Sequence, residues 1–212
     1  MAIALDAVTN NASASATSLT YSHTCTGSNR MLFVWIWTWT WDVVTWVTYA
    51  WVSMVQVGKI KQGAAADYCY LYCLFAPATW ANNIVCSASS SVTWNSMATS
   101  YTWVTQSNTM DATATSSISS AALNFSTNLT TIANNCWSIC YTINWTNVFA
   151  SNSDTRRGTN VWWNIFDSNS DITPAWSKTM TQTVSGSGNW WVVMASFSPL
   201  VASTFIPKIT FL

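Results

Sequence analysis

The sequence predicts an all-β protein: a two-sheet antiparallel β-sandwich, jelly-roll-like, in a single domain over residues 1–212. Three observations predict it. Short apolar segments recur about every 10 residues, separated by clusters of Ser, Asn, Gly and Pro. Helix formers are scarce, with no Glu and only 7% charged residues against about 25% in an average domain. No stretch carries an apolar stripe of period 3.6 with caps at its ends.

The first expected strands are Ile3–Asp6, Ser18–Thr24 and Arg30–Thr38. Within Ser18–Thr24, Leu19, Tyr21 and His23 share one face, the alternation of a half-buried strand. Val43–Tyr49, Ser53–Lys61 and Asp67–Phe75 follow. Cys69–Phe75 does not alternate and reads as a strand buried on both faces. Next come Asn83–Ser87, Ala98–Val104, Ala121–Ser126 and Cys136–Asn144. Asn160–Ser177 is the least regular region and reads as a long loop or a short helix. Thr179–Val184, Trp191–Phe197 and Phe205–Phe211 complete the set. Pro207 suits an edge, so Phe205–Leu212 is expected to pair at a sheet edge or in a subunit contact. No repeat of solenoid or propeller period is visible.

Composition narrows the function. Seven acidic and seven basic residues cancel, and the only adjacent basic pair is Arg156-Arg157, so no nucleic-acid partner is expected. No uncharged apolar run reaches the ~18 residues of a membrane helix. Met1–Asp6 lacks the basic and apolar regions of a recognisable signal peptide. The six cysteines form no paired CxxC knuckles, and His23 is the only histidine. In a strand, Cys69 with Cys73, or Cys136 with Cys140, would stand about 13 Å apart, too far for a bridge within either pair. They read mainly as small buried apolar residues, with a bridge between pairs left open.

Catalytic patterns are missing. A Ser-His-Asp triad has only His23 to use, no G-x-S-x-G elbow or phosphate loop appears, and the chain reads as non-enzymatic. Asp167, Asn169 and Asp171 offer oxygens at alternate positions, a spacing a calcium site uses. The glycine and terminal Glu of an EF-hand loop are missing, so a solvated polar loop is the leading reading and no cofactor is expected.

Sixteen Trp against six Gly is the anomaly. A sandwich with a dozen turns needs glycine for positive φ, and many tryptophans stand where a turn glycine would be natural. Replacing Trp35, Trp37, Trp39, Trp41, Trp46, Trp51, Trp80, Trp94, Trp103, Trp145, Trp162, Trp176 and Trp191 turns six glycines into nineteen and sixteen tryptophans into three. The leading expectation is a gene whose UGA codons mean glycine, read here as tryptophan, with Trp137, Trp163 and Trp190 genuine. The alternatives are a Trp-lined core or a ligand platform. Phe33, Trp35, Trp37, Trp39 and Trp41 alternate along one strand and would offer a row for stacking on sugar rings. Trp163 with Asn160 and Asn164 is a second, smaller sugar-binding candidate.

With those glycines restored, Ser18–Leu32 (SLTYSHTCTGSNRML), Val43–Gly58 (VVTWVTYAWVSMVQVG) and Tyr70–Ile84 (YLYCLFAPATWANNI) resemble a recurrent pattern. It belongs to uncharacterised β-sandwich proteins of phage and metagenomic origin and to domains of large secreted bacterial proteins. The matching motifs are turns and core strands over the first hundred residues. The resemblance implies a jelly-roll or concanavalin-like sandwich in a virion or on a cell surface, and supplies no active site. The expected function is a structural or decoration protein, forming a homo-oligomer or binding other surface proteins. A carbohydrate-binding attachment module is the alternative.

Overall fold

A computed structural model describes residues 2–39, 41–61, 67–144, 149–159 and 163–200. Those residues form thirteen strands and no helix, in two antiparallel sheets. In chain order the strands are β1 Ala4–Cys25, β2 Met31–Trp39, β3 Val44–Tyr49, β4 Val52–Ser53, β5 Val55–Lys61, β6 Tyr68–Phe75 and β7 Trp80–Thr102. Then come β8 Ala112–Thr130, β9 Trp137–Asn144, β10 Phe149–Asn152, β11 Thr155–Thr159, β12 Trp163–Asp167 and β13 Ser177–Phe197. The first sheet runs β4-β3-β7-β2-β6-β5 with β1 on β7; the second runs β10-β13-β9-β12-β11 with β8 on β13.

Four strands are far longer than the sequence suggests. β1 joins two expected segments, as do β7 and β13, and β8 runs well beyond Ala121–Ser126 on both sides. Straight, 22 residues would span about 70 Å. The β1/β7 ribbon instead folds back on itself. Tyr21 Oη lies 2.7 Å from Ser96 Oγ although Tyr21 pairs with Ile84, and the Asp6 carboxylate accepts the Thr26 amide at 2.8 Å. Register shifts at Thr9/Ala12 and Ala16/Ser18 accompany the bend. Ser and Ala fill that stretch, and in the sequence they look like loop. Asn160–Ser177 also differs from expectation, because it contains strand β12.

Three apolar clusters result. The central one lies between the sheets and joins Phe33, Trp35, Leu71 and Cys73 to Ile139, Tyr141, Trp191 and Val193. A second lies inside the folded first sheet around Leu32, Val34, Tyr70 and Trp94. A third lies inside the second around Phe125, Phe166, Met180 and Trp190. β2 and β6 therefore bury both faces, as the unalternating Cys69–Phe75 run predicts.

The two sheets repeat one pairing plan. β7 carries β1, β2 and β3 as β13 carries β8, β9 and β10. In β5, Gln56 faces Tyr72 and, after a bulge, Gly58 faces Leu71; in β11, Arg156 faces Phe166 and, after a bulge, Gly158 faces Ile165. Asn29 before β2 and Asn135 before β9 both adopt positive φ. The β3–β4 hairpin has no counterpart of its length, since only Ser153 and Asp154 separate β10 from β11.

Candidate functional site

Most of the residues singled out from the sequence are packed inside. Trp35 has no exposed surface; its ring lies 5.1 Å from that of Tyr141 across the sheets and 6.1 Å from that of Phe33. Trp37 is also buried, and Trp39, 55% exposed, is the first of the row to emerge. The row Phe33–Trp37 thus faces the opposite sheet, which leaves Trp39 and Trp41 outside. Period-2 alternation is the same for an inward and an outward face, so the sequence could not separate them. Trp163 and Asn164 are buried, and Asn160 lies outside the described residues. Trp145, Trp162 and the expected strand Phe205–Phe211 lie outside them as well.

The three oxygen donors of the calcium-like spacing turn to protein partners. Asp167 is fully buried; its Oδ2 accepts from Arg157 Nε at 2.7 Å and from Tyr101 Oη at 2.8 Å. Arg157 Nη2 also donates to Asn169 Oδ1, and Asp171 Oδ1 accepts the Trp137 indole N–H at 3.1 Å. A guanidinium therefore bridges Asp167 and Asn169 where a cation would have to sit. Burial first, and then the Asp167 charge, push the Tyr101 hydroxyl well above its ordinary pKa. Among the described residues no group of three His, Cys, Asp or Glu side chains is placed to hold a metal ion.

His23 is buried, with Nδ1 2.8 Å from Thr9 Oγ1 and Nε2 3.1 Å from Ser100 Oγ. Ser100 Oγ donates onward to Asp6 Oδ2 at 2.8 Å. The serine thus stands between histidine and carboxylate, whereas a triad needs the histidine between the other two. Burial lowers the His23 pKa to about 4, so the ring is neutral at pH 7. All six cysteines are buried thiols. Burial pushes Cys73, Cys86 and Cys136 up to about 12.

Among the described residues, open concave surface lies where β7 begins. Tyr49 pairs with Val52, and Ala50 and Trp51 between them both have positive φ, which makes a two-residue type I′ hairpin. The hairpin leans on β7 through the Ala50 amide, 3.1 Å from the Asn83 carbonyl. The buried Tyr49 hydroxyl lies within reach of the His23, Ala78 and Trp80 carbonyls at 3.2, 3.3 and 3.0 Å, which holds hairpin, β1 and β7 together. Against this support lies a shallow cleft of about 230 Å³, lined by Ala50, Trp51, Ala81, Asn82, Asn83 and Val85. A smaller one of about 90 Å³ lies between Cys25, Gly27, Thr79 and Trp80.

Trp51 is 94% and Trp80 75% exposed, so an indole stands beside each cleft. Asn82 spends its Nδ2 on the Thr79 and Trp80 carbonyls, at 3.0 and 3.3 Å. Rings beside amides are the chemistry that stacks on and hydrogen-bonds a sugar. The sequence marks Trp51 and Trp80 as turn anomalies only, because the pairing that brings hairpin and β7 together is long-range. Neither a protein-family model nor a curated protein nor a solved structure matches this chain.

Proposed function

We propose that the chain is a non-enzymatic structural or decoration protein of a virion or cell surface that binds its neighbours through its outer sheet faces. One observation carries this reading: the outer faces of β1 and of the β8/β13 ribbon carry uncharged ladders of Ser, Thr and Asn. On β1, Ser18, Thr20, Ser22 and Thr24 face solvent between buried Leu19, His23 and Cys25. Across β8 and β13, Thr179 donates to Asn128 Oδ1 at 2.6 Å and Thr183 to Asn124 Oδ1 at 2.9 Å, each within a directly paired position. A partner covering these ladders desolvates no charge, and Thr179 and Thr183 keep their bonds to Asn128 and Asn124 beneath it. The commitment of His23, Ser100 and Asp6 to internal hydrogen bonds agrees with a role outside catalysis.

The test is composition and assembly. Purified particles and cell-surface fractions from the native source are expected to contain the protein in stoichiometric amounts. Its self-association, or its binding to the particle, is expected to change little between low and high salt. A protein that is monomeric at high concentration and absent from both fractions overturns the proposal.

A second reading, a carbohydrate-binding attachment module, is favoured by Trp51 and Trp80 beside the two clefts. Glycan-array binding that is lost in Trp51→Ala and Trp80→Ala supports it. Silence across the array removes it.

A further inference from the structure

We propose that Trp51, Trp80 and Trp103 are glycines in the protein as its own host makes it, decoded there from UGA codons. Each has a left-handed backbone, with φ of 68°, 71° and 61°. For a side chain branching into a bulky ring this region is a steric outlier, whereas glycine enters it at no cost. Among the described residues, the other non-glycine residues of positive φ are four asparagines, which tolerate it, and two alanines, Ala50 and Ala76. Gly27 is the only described glycine there. The three left-handed tryptophans among the described residues belong to the suspect set; Trp137, Trp163 and Trp190 have none of this strain and are buried.

Surroundings separate the remaining suspects. Trp41, Trp46 and Trp176 are exposed, and Trp46 follows the β3 bulge at the place where β10, after its own bulge, has Ser151. The buried indole N–H groups of Trp35 and Trp191 have no hydrogen-bond partner among the described residues. Trp94 is different. Its Nε1 donates to the Ala16 carbonyl at 2.9 Å, and Trp190 Nε1 donates to the Ala122 carbonyl at 2.9 Å. Ala16 and Ala122 are paired with Val92 and Gly188 at the same place in the two ribbons, so the structure assigns Trp94 to the genuine tryptophans with Trp190.

The consequence for the surface is direct. Without the Trp51 and Trp80 indoles, no aromatic ring is left among the residues lining either cleft, and the observation favouring a sugar-stacking site goes with them.

Two measurements test the inference. Peptide masses of protein from its native source are expected to show glycine at 51, 80 and 103 and tryptophan at 94. Tryptophan masses at the three sites overturn it. Independently, the full chain carrying Trp51→Gly, Trp80→Gly and Trp103→Gly is compared with the chain carrying alanine there. Alanine removes the ring but keeps the φ penalty. The glycine form is expected to melt higher by about 2–4 °C for each site relieved. A glycine form that melts no higher than the alanine form overturns the inference, whichever of them is more soluble.

Discussion

Gly58 and Gly158 hold equivalent bulges in the two sheets, and each packs against the other sheet's folded ribbon. A Cβ on Gly58 would lie 2.5 Å from Val193 Cγ1 with Thr115 beyond it; a Cβ on Gly158 would lie 2.5 Å from Met97 Cε, with Asn10 also in its way. Met97 pairs with Trp35 of β2, and Val193 with Tyr141 of β9, so the obstructing side chains are equivalent too. The contact is thus made twice, as in an isologous dimer, within one chain.

The first prediction follows from that contact. Gly58→Ala is expected to destabilise by about 1–3 kcal/mol through overpacking, because Val193 belongs to the buried core and is β-branched. Val193→Ala in the same chain is expected to restore part of the loss. Urea melts of the four-member cycle check it, and strictly additive effects would refute the contact.

The second prediction concerns acid. The folded His23 pKa, about 4, lies below the ordinary value of 6.5, so the unfolded chain binds the proton first. The contribution is complete above pH 6.5 and is lost as pH falls from 6.5 towards 4. It amounts to about 3 kcal/mol on the scale of 1.36 kcal/mol per pKa unit. His23→Gln is expected to flatten stability across that window, measured by chemical denaturation at each pH. An unchanged slope would mean the imidazole is not the titrating group.

Third, Arg157→Ala leaves the Asp167 carboxylate buried without its ion-pair partner, and is expected to cost about 3–5 kcal/mol. Arg157→Met with Asp167→Asn is expected to cost less than Arg157→Ala alone. Added calcium is expected to leave the melting temperature of the unsubstituted chain unchanged; a concentration-dependent rise would show that the ion displaces the guanidinium.

Fourth, the six thiols are expected to resist a disulfide reagent in the native state and to react together on unfolding, since burial both hides them and raises their pKa. A timed thiol titration with and without denaturant measures this. Stoichiometric reaction of any one thiol under native conditions would contradict its placement.

Fifth, Trp94→Gly is expected to destabilise by about 3–5 kcal/mol, since it empties a buried site and strands the Ala16 carbonyl. That is opposite in sign to the effect expected of glycine at position 51, and thermal melts of the two single variants separate them.

The sandwich class was legible because strand signals and turn residues agree along the chain. Leu19, Tyr21 and His23 share one face as read, and β6 is buried on both. What stayed hidden depends on pairing between distant residues. Ser and Ala at the bend of β1 look like loop, since nothing local says that β7 accompanies them through it. Trp35 and Trp39 look alike in an alternating row, and only the opposite sheet, through Tyr141, makes one core and leaves the other in solvent. Arg157 could not be linked to Asp167 across the β11–β12 hairpin, because Thr155–Thr159 lies in no expected strand and Asn160–Ser177 reads as a long loop or a short helix. The Asn-rich start of β7 reads as a turn anomaly at Trp80 beside the expected strand Asn83–Ser87, and its neighbourhood with the hairpin at Ala50 comes only from long-range pairing.

The folded ribbon also dictates an order of events during synthesis. β1 cannot complete its pairing until Thr102, which faces Ala4, has left the ribosome. Once the first ribbon closes, the inner row of Phe33, Trp35, Leu71 and Cys73 is still bare, because its cover comes from β9 and β13, and β13 is the last described strand in chain order. For the time it takes to translate some ninety further residues, several seconds at about 5–20 residues per second, a half-built molecule presents a sticky flat wall. Two such nascent chains on one messenger would find in each other the surface that each is waiting to make for itself.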